Sequence, residues 1–224
     1  METTHYFLRI LAASQSLFIG VYFLSYYRDR TGWFFTLLAV CISCYLLLPP
    51  VHAVLSETLV VTVLKIGATA IPAMLWLLVQ RFLNDNQTTP IWFWFVFASY
   101  MVLSFLGPED AANTTLTSVI FVLLPQFLKL GLVVHVIYLA ASGIKSDLVE
   151  QRRQIRAKMS ITLGLICILV ISVELWAGGN VPMFIELMGS VLLVVATFLA
   201  NLFLFRLRSD ILPFATKNLL KLNK

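Results

Sequence analysis

The sequence predicts an all-α integral membrane protein, a bundle of seven transmembrane helices with the N-terminus outside and the C-terminus in the cytoplasm. Hydrophobic residues make up 60% of the 224 residues and charged residues only 12%, whereas about a quarter of a soluble protein is charged. Seven apolar stretches follow one another along the chain, each near the ~20 residues that cross a bilayer. Their combined length leaves no room for a separate soluble domain.

The charges between these stretches predict the orientation. The connections after the second, fourth and sixth stretches contain no Lys or Arg. The other three connections and the C-terminal tail contain thirteen: Arg28, Arg30, Arg81, Lys145, Arg152, Arg153, Arg156, Lys158, Arg206, Arg208, Lys217, Lys221 and Lys224. Positive residues stay on the cytoplasmic side during insertion. The net charge of +5 therefore indicates basic loops at an anionic inner leaflet rather than a nucleic-acid partner.

The first two segments are expected at residues 6–27 and 32–48. Segment one is longer than the apolar region of a signal peptide and no small-residue cleavage site follows it, so it is predicted to be an uncleaved helix. Segment two is expected to end at Pro49 and Pro50, because a helix interior does not tolerate proline.

The next three segments each contain or begin at a proline. Segment three is expected at 58–80 with a kink at Pro72, segment four at 90–106, and segment five at 115–141 with Pro125 inside it. Trp92 and Trp94 at the start of segment four are typical of a membrane interface.

Segments six and seven are expected at 159–177 and 183–205. The connections are short, so consecutive helices are predicted to be antiparallel neighbours. The chain thus divides into a seven-helix transmembrane domain, 1–205, and a short basic cytoplasmic tail, 206–224.

Four ionisable residues lie within the predicted spans: Lys65, Lys129, Glu174 and Glu186. Charges at this depth are costly and suggest a functional site. They belong to polar stripes at helical spacing, which must face one another or a wet cavity. The stripes are Thr58, Thr62, Lys65 and Thr69; Thr115, Ser118, Gln126 and Lys129; and Glu186, Ser190, Thr197 and Asn201. Two interpretations stay open: an interhelical polar network, or an outward pocket in which Lys65 and Glu186 hold a ligand.

Other polar and small residues predict packing rather than chemistry. His135 has no second His or Cys at ligand spacing, so it is expected to form a hydrogen bond in the bundle rather than bind metal. Cys41 and Cys44 lie inside a span and lack a second cysteine pair in an outer loop, which argues against a thiol oxidase. Gly67, Ala70 and Ala73, like Gly189, Ala196 and Ala200, are expected to allow close helix approach. No catalytic constellation and no cofactor site are predicted.

Two familiar seven-helix functions do not fit. Segment seven contains no lysine for a retinal Schiff base. Segment three ends Gln80-Arg81 without the preceding acid that G-protein-coupled receptors carry there.

The inner connection after segment five contains Asp147, Glu150, Arg152, Arg153 and Arg156. Glu150 stands three residues before Arg153, a spacing that supports a helical ion pair, and a plain retention loop would explain the arginines. This run, Asp-Leu-x-Glu-x-Arg-Arg-x-x-Arg, resembles the seven-helix membrane half of bacterial AraC-type transcription regulators. The resemblance implies a sensor half whose inner loop relays a signal.

In that family a cytoplasmic double helix-turn-helix of about a hundred residues follows the membrane half. Only residues 206–224 follow the last segment here, so direct nucleic-acid binding by this chain is not expected. The prediction is a non-catalytic, multi-pass sensor or signal-relay module of the bacterial inner membrane. Its expected partners are the lipid bilayer and either a cytoplasmic protein or a second copy of the chain. The alternative is a small-solute transporter that uses Lys65, Lys129 and Glu186.

Overall fold

The computed structural model describes residues 2–26, 30–55, 58–83, 89–106, 117, 119–142, 164, 168, 184, 187–199 and 201–202. These residues are almost entirely helical and include no β-strand, as the sequence predicts. The α-helices are α1 Glu2–Tyr26, α2 Arg30–Val54, α3 Leu59–Thr69, α4 Ile71–Leu83, α5 Ile91–Leu106, α6 Leu124–Ser142 and α7 Leu187–Leu199.

Among the residues that the structure describes, three helical segments are long and apolar enough to cross a bilayer: Thr3–Ser25, Gly32–Val54 and Val119–Leu139. A fourth is the bent pair α3–α4, if both halves form one span. The helices α5 and α7 are apolar but shorter. The predicted segment six lies outside the described residues except for positions 164 and 168, as do the relay loop and the basic tail.

The two faces of α1 are reversed relative to a helix of a soluble protein. Its exposed stripe is large and apolar, with Phe7 66% and Val21 61% exposed. Apart from Phe23, its buried residues are small or polar: His5, Ala12, Ala13, Ser16 and Gly20. Small residues let helices approach closely in a membrane, and lipid accepts the large side chains on the other face. The chain therefore has the character of a membrane protein.

Hydroxyl side chains join α1 to α2. Ser16 Oγ donates to the carbonyl oxygen of Ala39 at 3.0 Å, and Thr36 Oγ1 lies 3.1 Å from the carbonyl oxygen of Gly20. Where Gly20 meets α2, an added Cβ would lie only 3.2 Å from the Cβ of Ala39. Such hydrogen bonds satisfy hydroxyl groups that lipid cannot.

The predicted end of segment two at Pro49 and Pro50 is wrong. Helix α2 continues through both prolines to Val54, and the amide of Leu55 donates to the carbonyl oxygen of Val51 at 2.8 Å. Proline's fixed φ is helical, and two prolines near a C-terminus remove only two hydrogen bonds. The last turn therefore forms despite them.

The kink predicted at Pro72 is confirmed. Segment three consists of α3 and α4, which meet at Ala70 with a bend of 42°. Pro72 lacks the amide hydrogen that would continue the ladder. At this bend the predicted small residues are packed: Ala70 and Ala73 are buried.

Gly67 lies at a close contact between α2 and α3. A Cβ added at this position would lie 2.7 Å from Cys44 Sγ and 2.8 Å from Cys44 Cβ. Real side chains do not approach so closely, so only glycine permits this helix separation.

Helix α4 occupies the centre of the core. Nearly all residues from Pro72 to Gln80 are buried. The surrounding residues come from α2, α5 and α6: Leu38, Phe93, Tyr100, Leu132 and Val136. A helix that is apolar on all sides is buried in the interior of a bundle.

Segment five contains a π-helix, Val119–Leu123, which passes into α6. The sequence does not predict this wider turn. Pro125, at the second position of α6, cannot donate the usual backbone hydrogen bond, and a π-turn is one way to accommodate such a break. Farther along, position 164 packs on α6, where an added Cβ would lie 2.6 Å from Ile137 Cγ1.

We expect Gly67→Ala to lower the midpoint of thermal unfolding of the detergent-purified protein. The added methyl group overlaps Cys44, and overpacking of this kind costs about 1–3 kcal/mol. Gly131→Ala is the control, because a Cβ there meets nothing within 4 Å and alanine favours a helix over glycine. Equal midpoints for the two variants would contradict the close α2–α3 contact.

Candidate functional site

Two of the four predicted ionisable residues fall within the described part of the chain. Lys65 lies on α3 and Lys129 on α6, and both are partly buried. Glu174 and Glu186 lie outside the described residues, and so do Asp147, Glu150, Arg152, Arg153 and Arg156. The predicted approach of Lys65 to Glu186 or Glu174 therefore stays a prediction.

The polar stripe of segment seven faces α1. Ser190 is 1% exposed and its Oγ lies 3.4 Å from Arg9 Nε. Thr197 Oγ1 lies 2.7 Å from Gln15 Oε1, and Asn201 Nδ2 donates to the backbone carbonyl oxygen of Gln15 at 3.4 Å. The stripe was predicted to face the other two stripes or a wet cavity. Its described part instead forms a polar seam with the first helix.

Arg9 lies at the centre of a group that we call the Arg9 cluster: His5, Arg9, Tyr45 and Ser190. Arg9 Nε donates to His5 Nε2 at 3.0 Å, and its guanidinium carbon lies 5.9 Å from the centroid of the Tyr45 ring, within range of a cation–π interaction. His5 is 4% exposed and Arg9 is partly buried. Since side chains on a helix tilt toward its N-terminus, Arg9 reaches back one turn to His5.

Thr197, farther along the seam, has three acceptors for one hydroxyl hydrogen. Besides Gln15 Oε1, the carbonyl oxygens of Leu193 and Val194 lie 2.9 Å and 3.0 Å from Thr197 Oγ1. The hydroxyl can therefore donate across to α1 or back to its own helix. If the hydroxyl turns to one of these carbonyl oxygens, the hydrogen bond between Thr197 and Gln15 breaks but the hydroxyl keeps an acceptor.

His135 forms a hydrogen bond in the core, as predicted. Its Nδ1 accepts from Trp76 Nε1 at 2.8 Å. Trp76 also stacks on Phe93 with a centroid separation of 4.3 Å, and Trp92 packs edge-on against both Trp76 and His135. This aromatic group joins α4, α5 and α6, and a buried Trp N–H is ordinarily bonded in this way.

The described residues offer no metal centre, since no group of three or more His, Cys, Asp or Glu occurs among them. Cys41 and Cys44 are free thiols. Cys44 packs against Gly67, which accords with the packing role predicted for the pair.

Neither Arg9 nor Gln15 was predicted as a site residue from the sequence. One signal was present: His5 and Arg9 are four residues apart and so share a helix face. The pairing of that face with segment seven could not be inferred, because periodicity defines a face and not its partner.

No protein-family model matches the chain, and the comparisons with curated proteins and with solved structures found no match either.

We expect Gln15→Leu and Thr197→Val to be non-additive. The two side chains share a hydrogen bond, and such bonds between membrane helices couple by about 0.6 kcal/mol on average, with values up to ~1.7. Unfolding titrations of the wild type, both single variants and the double variant measure this coupling.

Ser14 provides the matched control. Its hydroxyl donates to the carbonyl oxygen of Leu11 on its own helix, so Ser14→Ala combined with Thr197→Val should be additive. Additivity of the Gln15 and Thr197 variants would show that the seam makes no energetic contribution at this point.

Proposed function

We propose that this chain is a non-catalytic sensor or signal-relay module of the bacterial inner membrane. In this proposal it crosses the membrane seven times, with the N-terminus outside. A signal received at the Arg9 cluster shifts α1 against α7, and the shift reaches a cytoplasmic protein partner or a second copy of the chain. The proposal depends on one observation, the polar seam that runs from Arg9 to Asn201.

The position of the Arg9 cluster suits an input site. Its residues come from the N-terminal halves of α1 and α7 and from the C-terminal half of α2. All three helix ends lie at the same end of the bundle, which the distribution of basic residues assigns to the outside. Ionisable residues at membrane depth are the first candidates for a functional site.

The seam suits a relay because it combines length with alternative hydrogen bonds. From Ser190 to Thr197 it covers seven residues of α7, or about 10 Å at 1.5 Å per residue, roughly a third of a ~30 Å hydrocarbon core. Thr197 can exchange Gln15 for Leu193 or Val194 as its acceptor. An element with two hydrogen-bonded arrangements is the physical requirement for coupling between distant sites.

The output would leave through the basic inner segments. Helix α7 precedes the tail 206–224, and the predicted relay loop with Asp147, Glu150, Arg152, Arg153 and Arg156 belongs to the same side. The resemblance of that loop to the membrane half of AraC-type regulators supports a link to transcription through a partner, without direct DNA binding.

A small-solute transporter is the second candidate, and the bend between α3 and α4 favours it. Transporters place substrates at helices that are broken within the membrane, and this span breaks at Ala70 by 42° with Lys65 one turn before it. Uptake of a solute by proteoliposomes containing the chain, abolished by Lys65→Gln, would favour transport over relay.

The proposed topology predicts the accessibility of three introduced cysteines in a chain whose native cysteines are replaced by alanine. Asp110→Cys should react with an impermeant thiol reagent from outside intact cells. Ser146→Cys and Lys224→Cys should react only after permeabilisation, because basic segments stay inside. Labelling of position 146 from outside would overturn the topology, and the parent without cysteine measures the background.

The relay predicts that a change at the cluster alters the inner loop. We expect Arg9→Gln to change the labelling rate of a cysteine at position 151, measured in inverted vesicles, by about 2- to 30-fold, the range that corresponds to a coupling of 0.5–2 kcal/mol. Ser14→Ala, on the same helix but outside the seam, should leave the rate unchanged. An unchanged rate in Arg9→Gln would argue for a static anchor.

A further inference from the structure

The guanidinium of Arg9 retains unused donors. An arginine has five N–H donors, and the structure uses one nitrogen, Nε, toward His5 and Ser190. Toward the residues that the structure describes, neither Nη atom donates a hydrogen bond. The four Nη hydrogens of this partly buried cation therefore have no acceptor among the described residues.

The cluster holds this cation in place without neutralising it. His5 Nε2 accepts a hydrogen bond from Arg9, so the imidazole is the neutral form that carries its proton on Nδ1. Ser190 and the Tyr45 ring are also neutral. The four side chains of the cluster therefore sum to a net charge of +1 in a segment otherwise suited to lipid, where a cation gains from a bound anion.

We propose that the Arg9 cluster binds an oxyanion, a phosphate or carboxylate whose two oxygens pair with the two Nη groups. The two Nη groups of the planar guanidinium form a fork that matches two coplanar oxygens. The contacts from Nε to His5 and Ser190 orient this fork before an anion binds. This inference rests on the proposed function only in that the anion would be the input signal. Its source is either a lipid headgroup or a soluble anion at the outer surface.

Binding is tested on the full chain by the shift of its thermal unfolding midpoint. The soluble probes are inorganic phosphate and acetate, added to the detergent-purified protein against sodium chloride of equal ionic strength. The lipid probe is phosphatidylglycerol in nanodiscs, compared with nanodiscs of phosphatidylcholine alone. A saturable shift with phosphate or acetate identifies a soluble ligand, and a shift with phosphatidylglycerol alone identifies a lipid.

Arg9→Gln should weaken the apparent affinity about 10- to 100-fold, because charge-assisted hydrogen bonds are lost. Arg9→Lys keeps the charge but not the two-pronged geometry, so it should also bind the anion more weakly than the wild type does. This variant replaces Arg9→Gln in the test if Arg9→Gln does not fold. Ser14→Ala changes a hydroxyl on the same helix that donates to the carbonyl oxygen of Leu11 rather than into the cluster, and this variant should bind normally. No saturable shift with any probe, or equal responses in wild type and Arg9→Gln, would overturn the proposal.

Glu186 is the internal competitor, since it precedes Ser190 by four residues. If Arg9→Gln and Glu186→Gln lower the unfolding midpoint non-additively and neither changes probe binding, Glu186 is the counter-ion and the proposal fails. The thermal-unfolding assay of anion binding does not depend on any signal that reaches the inner loop. Loss of binding therefore leaves the labelling test at position 151 intact, and a negative labelling result leaves the binding site intact.

Discussion

Hydrocarbon offers no hydrogen-bond partner, and this constraint determines how the described helices contact one another. Ser16 and Thr36 donate to backbone carbonyl oxygens across the α1–α2 contact, and Thr197 and Asn201 find partners on α1. Because polar groups must turn inward, the packed face of α1 is mostly small or polar and its exposed face is large and apolar. The fold and the candidate site are thus consequences of the same requirement, and the seam that holds α7 against α1 also places Arg9 beside Ser190.

Much of the helix pattern follows from the sequence, since local chemistry decides it. Segment four was expected at 90–106 and the helix is Ile91–Leu106, because Pro90 is suited to a helix start. The bend at Pro72 also follows from a proline, which lacks the amide hydrogen of a regular helix. The end of α2 was misjudged because proline's fixed φ is helical and its missing donor matters less near a helix end. The π-turn before Pro125 depends on how the chain absorbs a lost hydrogen bond, and more than one solution satisfies the sequence.

The site was predicted less completely than the helices. The polar character of Ser190, Thr197 and Asn201 follows from their spacing, but their partners Arg9 and Gln15 do not. Hydropathy reports how each side chain interacts with lipid, whereas a partner is chosen by the three-dimensional arrangement of all the helices. Trp76 and His135 illustrate this limit: a hydrogen bond was expected for His135, and its donor on α4 was identified only from the structure.

The contact between Trp76 and His135 also has a consequence for biogenesis. The two residues are 59 positions apart, so at about 5–20 residues per second a ribosome makes the acceptor roughly 3–12 s after the donor. Helices α1 and α2, which are consecutive and joined by their own hydroxyl groups, can pair as soon as both are inserted. Helix α4 cannot complete its surroundings until α6 arrives. The central helix is therefore made early and enclosed late, and an insertase or chaperone that shields intramembrane indole groups would act in that interval.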